Sequence, residues 1–112
     1  MSLRHDRLES EMLKVITNII RNDVKDRDLM LVTITDITVN KDLSNAKILF
    51  TSLGGEGKQQ ADLNSLNNAK GFIKKQLASK MKIRKVPNLT FMYDNRTDIR
   101  NDFEKLLNSI KK

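Results

Sequence analysis

The sequence contains no cysteine and no tryptophan, and it has only one proline, one histidine, one tyrosine and four glycines. Without cysteine, disulfides, thiolate metal sites and a cysteine nucleophile are excluded, and a reducing compartment fits the composition. The single histidine, His5, has no second histidine or cysteine near it in the sequence, so a metal site or a histidine base is not expected. The residue types present favour a binding protein over an enzyme, and we expect neither a cofactor nor a small-molecule substrate.

Long apolar runs are also missing. No stretch approaches the roughly 20 residues that span a bilayer, and no apolar signal-peptide region follows Met1. We therefore expect a cytoplasmic protein with no membrane attachment. A length of 112 residues with 38% hydrophobic and 31% charged residues is typical of one folded domain, predicted to cover 1–112. A monomer is expected.

The first half of the chain predicts a helix followed by a β-hairpin. The helical stripe consists of Leu8, Met12, Val15, Ile16, Ile19 and Ile20. A first strand is predicted over 29–39, and a change in its alternation at Asp36 indicates a bulge or strong twist. Asn40-Lys41-Asp42 is a turn signal, and Ala46, Ile48 and Phe50 alternate as in a second strand.

The second half predicts more helix around one further strand. Residues 58–80 favour a helix whose apolar stripe continues through Gly71, a residue that could mark a kink, a break or a tolerated small residue. A third strand is predicted within 83–93, with Pro87 restricting its early part to an edge or a strand start. Thr97 or Asp98 can cap a last helix with the stripe Ile99, Phe103, Leu106, Leu107 and Ile110. Gly54-Gly55-Glu56-Gly57 is followed by Lys58 and Gln59, so the serine or threonine of a phosphate-binding loop is missing, and the segment is predicted to be a connection.

Charge is segregated along the chain. The formal net charge is +7, and no acidic residue occurs between Asp62 and Asp94. The cations of this segment are Lys70, Lys74, Lys75, Lys80, Lys82, Arg84 and Lys85. Lys70 and Lys74 are one helical turn apart, and the last three are predicted to extend the basic surface into the third strand. Such a surface favours phosphate contacts with nucleic acid, without base specificity, although a merely solvated face is the alternative.

Few residues could support other chemistry. Phe50, Phe72, Phe91 and Phe103 lie on or beside apolar stripes and are predicted to be core, so base-stacking platforms are not expected. Asp94 and Asp98 form a carboxylate pair near the end of the third strand, and helix capping is favoured over catalysis there.

Three segments make the chain resemble the ribosome-binding factor A family over nearly its whole length. They are Val39-Asn40-Lys41-Asp42-Leu43-Ser44-Asn45-Ala46-Lys47, Ala69-Lys70-Gly71-Phe72-Ile73, and Arg84-Lys85-Val86-Pro87-Asn88-Leu89-Thr90-Phe91 with the following Tyr93-Asp94. The resemblance implies an α+β fold of the KH type (type II), in which a kink at Ala69-Lys70-Gly71 replaces the usual Gly-x-x-Gly loop. Two positions depart from the family pattern, namely Asn88, where an acidic residue is usual, and 96–101, where a glycine is often found.

The resemblance also implies a function without catalytic residues. The family matures the bacterial small ribosomal subunit: it binds the 30S particle and its 16S rRNA, supports processing of the 5′ end of that RNA and aids growth in the cold. A general KH-like RNA-binding module or a ribosomal protein is the alternative. Either interpretation assigns RNA binding to one shared patch of Arg4, Arg7, Lys70, Lys74, Lys75, Lys80, Lys82, Arg84 and Lys85.

Overall fold

The computed structural model describes residues 3–53 and 56–96. Its main elements are α1 (Leu3–Asn18), β1 (Val32–Val39), β2 (Asn45–Ser52), α2 (Gln59–Met81) and β3 (Asn88–Tyr93). Short helical turns cover Ile19–Asp23, Arg27–Leu31 and Glu56–Lys58. The predicted α+β class is confirmed. The predicted last helix with its cap at Thr97 or Asp98, the core assignment of Phe103, and Gly54-Gly55 lie outside the described residues.

The three strands form one mixed sheet in the order β1-β2-β3. β1 and β2 pair antiparallel as the predicted hairpin, with Val39 opposite Ala46. β2 and β3 pair parallel, from Asn45 opposite Asn88 to Phe50 opposite Tyr93. A parallel pair requires a crossover connection, and α2 supplies it. The hairpin turn and the start of β3 therefore lie at the same end of the sheet.

The predicted irregularity at Asp36 is confirmed as a bulge in β1. The register shifts between Ile34 and Asp36, so that Thr35 has no partner residue on β2. In a regular strand, odd-numbered and even-numbered residues would face opposite sides of the sheet. Because of the bulge, Ile37 and Val39 lie on the same buried face as Val32 and Ile34. The hydroxyl of Thr35 is thereby turned toward Asp94.

Two predicted strands begin later than expected. The first starts at Val32, because Arg27–Leu31 forms a 3₁₀ turn. The third starts at Asn88 instead of within 83–87. Lys82 ends α2 in a left-handed conformation, and Pro87 cannot donate a backbone hydrogen bond to a neighbouring strand. The intervening residues are consequently a connection.

The core lies between the sheet and the two helices. The apolar stripe of α1 continues into a π-helical turn, where Ile19 and Ile20 are buried. α2 contributes Leu66, Ile73 and Leu77, which are all fully buried. They pack in one cluster with strand residues such as Ile48.

The predicted division of α2 at Gly71 is corrected by the structure. The α-helix runs without interruption for 23 residues, from Gln59 to Met81. A glycine inside a helix costs only about 1 kcal/mol relative to alanine, and buried residues on both sides of Gly71 hold the helix against the sheet. The Ala69-Lys70-Gly71 motif therefore does not separate two helices.

Gly71→Ala is expected to raise the free energy of unfolding by about 1 kcal/mol. A Cβ atom at Gly71 meets no atom within 4 Å, so the methyl group has room. Urea unfolding of the variant measures the change. Ala61→Gly, at an exposed position of the same helix, is the matched control and should lower stability. A loss of stability in Gly71→Ala would show that the native backbone needs a bend there that alanine resists.

Candidate nucleic-acid interface

Helix α2 carries the first part of the acid-free segment. Because its apolar stripe faces the sheet, Lys70 and Lys74 lie one turn apart on one flank of that stripe, where both are half-buried. Lys75 is exposed on the outward face. The lysines of α2 thus occupy more than one face of the helix.

The connection from α2 to β3 carries the next cations. Lys82, Arg84 and Lys85 are all exposed, and they lie in this connection instead of the predicted strand. At its end, the Asn88 backbone N–H donates to the Ser44 carbonyl oxygen over 2.9 Å. This bond holds the connection against the hairpin turn.

Two lysines converge at that end of the sheet. Lys74 Nζ donates to Asn88 Oδ1 at 3.2 Å, and Lys85 Nζ donates to the Asp42 carbonyl oxygen at 3.4 Å. Because the Asn88 side chain is neutral, it holds the ammonium group of Lys74 without neutralising it. Lys85 is exposed, and it also interacts electrostatically with the Asp42 carboxylate.

A small apolar cavity lies beside Lys85. It has a volume of about 220 Å³, and it is lined by Leu8, Met12, Leu43, Ile83, Arg84, Lys85 and Pro87. Arg4 precedes Leu8 by one helical turn and so extends the same face of α1. Arg7 is also exposed in these first turns. We call Arg4, Lys74, Arg84 and Lys85 the hairpin-end cluster.

Lys80 lies apart from this cluster. Its Nζ is 3.2 Å from Asp23 Oδ2, at the end of the π-helical turn that follows α1. Lys80 also lines a shallow surface depression with Lys14 and Asn18. The structure therefore places Lys80 against the C-terminal half of α1, on a different side of α2 from Lys74. The assignment of RNA binding to one shared patch stays a prediction.

Asp94 organises a polar centre at the end of β3. Its carboxylate accepts hydrogen bonds from Thr35 Oγ1 at 2.7 Å and from Arg96 Nε and Nη2 at 2.9 and 2.8 Å. The Arg96 and Thr35 hydrogen bonds hold the pKa of Asp94 well below its usual value. The Arg96 backbone N–H also donates to Asp94 Oδ1 at 3.0 Å, a capping-type bond. Asp98, the other member of the predicted pair, lies outside the described residues.

His5 contributes to the attachment of α1 to the sheet. His5 Nε2 lies 2.6 Å from the Val39 carbonyl oxygen, and Glu9 Oε2 accepts the Val39 backbone N–H at 2.6 Å. These contacts hold the start of α1 against the end of β1. Arg4 and Arg7 are thereby positioned at the hairpin end.

The aromatic residues are only partly as predicted. Phe50 and Phe91 are buried in the core, with 1% and 4% of their surface exposed, whereas Phe72 is 42% exposed. The prediction that Phe72 is a core residue is wrong. It follows Gly71 and directly precedes the buried Ile73, and its position falls off the Leu66, Ile73 and Leu77 row. The helical spacing of this row places Phe72 outside the buried face of α2 and could have identified it as exposed.

Within 3–53 and 56–96, no group of three or more histidine, cysteine, aspartate or glutamate side chains could hold a metal ion. Nor does any helix of the described part combine the length and apolar character needed to cross a membrane.

Comparisons with known proteins agree on one family. The family model of ribosome-binding factor A matches residues 4–107. The chain is 41% identical over 110 residues to ribosome-binding factor A of Staphylococcus carnosus strain TM300, which covers 98% of this chain and 96% of that protein.

Solved structures agree on the fold. The crystal structure of ribosome-binding factor A from Thermus thermophilus matches with a TM-score of 0.72 and 22% identity, over 80% of this chain and 93% of that chain. A Thermus thermophilus ribosome-binding factor A homology model, fitted into the cryo-EM map of a 30S complex, matches with a TM-score of 0.66 and 23% identity, over 79% of this chain and 92% of that chain. These neighbours and the mixed sheet confirm the KH-type α+β fold.

Proposed function

Because the chain belongs to the ribosome-binding factor A family, we propose that it binds the 30S subunit through 16S rRNA and assists late assembly and 5′-end processing of that RNA. The observation that supports this most directly is the hairpin-end cluster. Lys74 Nζ donates to the neutral side chain of Asn88, and the exposed Lys85 donates to the Asp42 carbonyl oxygen, near the Asp42 carboxylate. Their charges can therefore act on phosphate groups.

The proposed mode of action is binding without covalent chemistry. Phosphate contacts position a protein on folded RNA, and binding stabilises whichever RNA conformation it fits better. If the protein binds an immature conformation of the subunit more tightly, the population of that conformation increases. Later assembly steps then replace this conformation with the mature one. In this proposal, residues 1–112 act as one cytoplasmic, monomeric RNA-binding domain, and support of growth in the cold follows from the same role.

A pelleting assay with gradient-purified subunits tests the proposal. The protein is expected to pellet with immature 30S particles at lower concentrations than with mature 30S subunits, and bulk transfer RNA should compete poorly. Binding should weaken steeply with salt, as phosphate contacts require. Equal retention on immature particles, mature subunits and bulk RNA would reject the assembly role and favour a general KH-like RNA-binding module or ribosomal protein.

A further inference from the structure

Phe72 is the most exposed phenylalanine of the described residues. Its ring lies on the surface of α2 at 42% exposure, while Phe50 and Phe91 are almost completely enclosed. A single exposed apolar side chain is ordinary on a protein surface. The significance of Phe72 therefore depends on what surrounds it.

The helix surface around Phe72 is polar and carries no negative charge. Asn68 and Gln76 lie one turn before and after it, and Lys75 lies three residues ahead, so all three side chains neighbour the ring. The nearest acidic residues in the sequence are Asp62 and Asp94, and the Asp23 carboxylate contacts α2 at Lys80, about two turns beyond Phe72. An aromatic ring among amide and ammonium groups is a combination suited to unpaired nucleotides.

Gly71, next to Phe72, is also exposed. A Cβ atom built there would meet no atom within 4 Å, so the space beside the helix at this point is open. Gly71 itself presents only backbone. No side chain of another element therefore covers the helix surface at Gly71 within that distance.

We infer that Phe72 stacks on an unpaired RNA base, with Lys75 contacting a phosphate group of the same strand. This inference rests on the proposed function and deepens it, because it names single-stranded rRNA as the preferred ligand. Every base has a π-face, so stacking on Phe72 tolerates different sequences. Asn68 and Gln76 can donate to and accept from the edge of the stacked base. The site lies on the outward face of α2 and is distinct from the hairpin-end cluster.

Tryptophan fluorescence provides a direct test. The protein contains no tryptophan, so Phe72→Trp places the only indole at the proposed site. Adding a single-stranded oligoadenylate of about ten nucleotides, a typical site size, is expected to quench its emission. A duplex RNA of the same length should quench it much less. Met92→Trp is the matched control, since Met92 is 46% exposed and belongs to β3. Its emission should not respond to either RNA.

Affinity measurements separate stacking from charge. By anisotropy of the labelled oligonucleotide, Phe72→Ala is expected to weaken single-strand binding roughly 5- to 150-fold, the range for a lost base–aromatic stack. Phe72→Leu should weaken it similarly because it keeps an apolar side chain without a π-face, and Phe72→Tyr should retain it. Thermal unfolding of each variant shows whether the fold is intact.

The two proposals fail in different ways. The stacking site would be overturned if folded Phe72→Ala and Phe72→Leu kept the wild-type affinity for single strands, or if Phe72→Trp showed no quenching. The proposed function would still stand in that case, provided that the wild-type protein pelleted with immature 30S particles. Loss of the preference for immature particles in the wild-type protein would instead overturn the proposed function.

Discussion

Replacing Lys74, Arg84 and Lys85 together with glutamine is expected to weaken binding to immature 30S particles by up to roughly 500-fold at about 0.1 M salt. Each phosphate contact changes the logarithm of the binding constant by about 0.9 per decade of salt concentration. At about 0.1 M salt, one decade below 1 M, the loss of three contacts therefore lowers the binding constant by about 2.7 powers of ten. The slope of log K against log salt should fall by the same amount. Pelleting at several salt concentrations measures both quantities.

A second triple variant controls for net charge. Arg21, Lys25 and Arg27 are exposed at the other end of β1, where they line a common depression. Replacing them with glutamine also lowers the formal charge of +7 by three. This variant should lose little affinity. Equal weakening by both variants would mean that overall charge, and not the hairpin-end cluster, determines binding.

Local patterns in the sequence predicted the elements well. Periodicity identified both described helices and the hairpin, and the change of parity at Asp36 identified the bulge. These features depend on neighbours within a few residues, which a sequence displays directly. The starts of β1 and β3 were missed, because they depend on the 3₁₀ turn before Val32 and on the left-handed Lys82.

The arrangement of the cations was less predictable. The acid-free segment identified which residues are basic, but their positions depend on how α2 packs against the other elements. In the continuous helix, Lys74 faces the start of β3, and Lys80 reaches Asp23 on the turn after α1. Segregation along the sequence therefore does not by itself specify which cations lie together in space.

The polar centre at Asp94 could not be predicted from local pattern. Thr35 is 59 residues away from Asp94 in the sequence, and the two meet only because the bulge in β1 turns the Thr35 hydroxyl toward the end of β3. Asp94 was identified as a carboxylate worth attention, but its partners were not. Its contribution to stability can be measured.

Asp94→Asn is expected to lower the free energy of unfolding at pH 7 by roughly 1.5 to 3 kcal/mol, the range for hydrogen bonds to a charged group. The Asp94 side chain is buried, and the amide would place a donor among the donors of Thr35 and Arg96. The folded state lowers the pKa of Asp94, so the unfolded chain binds a proton first as the solution is acidified. The stability provided by this carboxylate is thus present in full above about pH 5 and declines below about pH 4, near the unfolded pKa.

Urea unfolding of the wild type and the variant between pH 3 and pH 7 should therefore show a stability difference that shrinks as the pH falls. Asp36→Asn is the matched control. Asp36 Oδ2 also contacts Arg96, at 3.3 Å, but its side chain is 47% exposed, whereas that of Asp94 is 6% exposed. An exposed ion pair contributes only about 0.2 to 1 kcal/mol, so the control should change little. A difference for Asp94→Asn that stays constant across this pH range would mean that its effect comes from packing and not from the carboxylate charge.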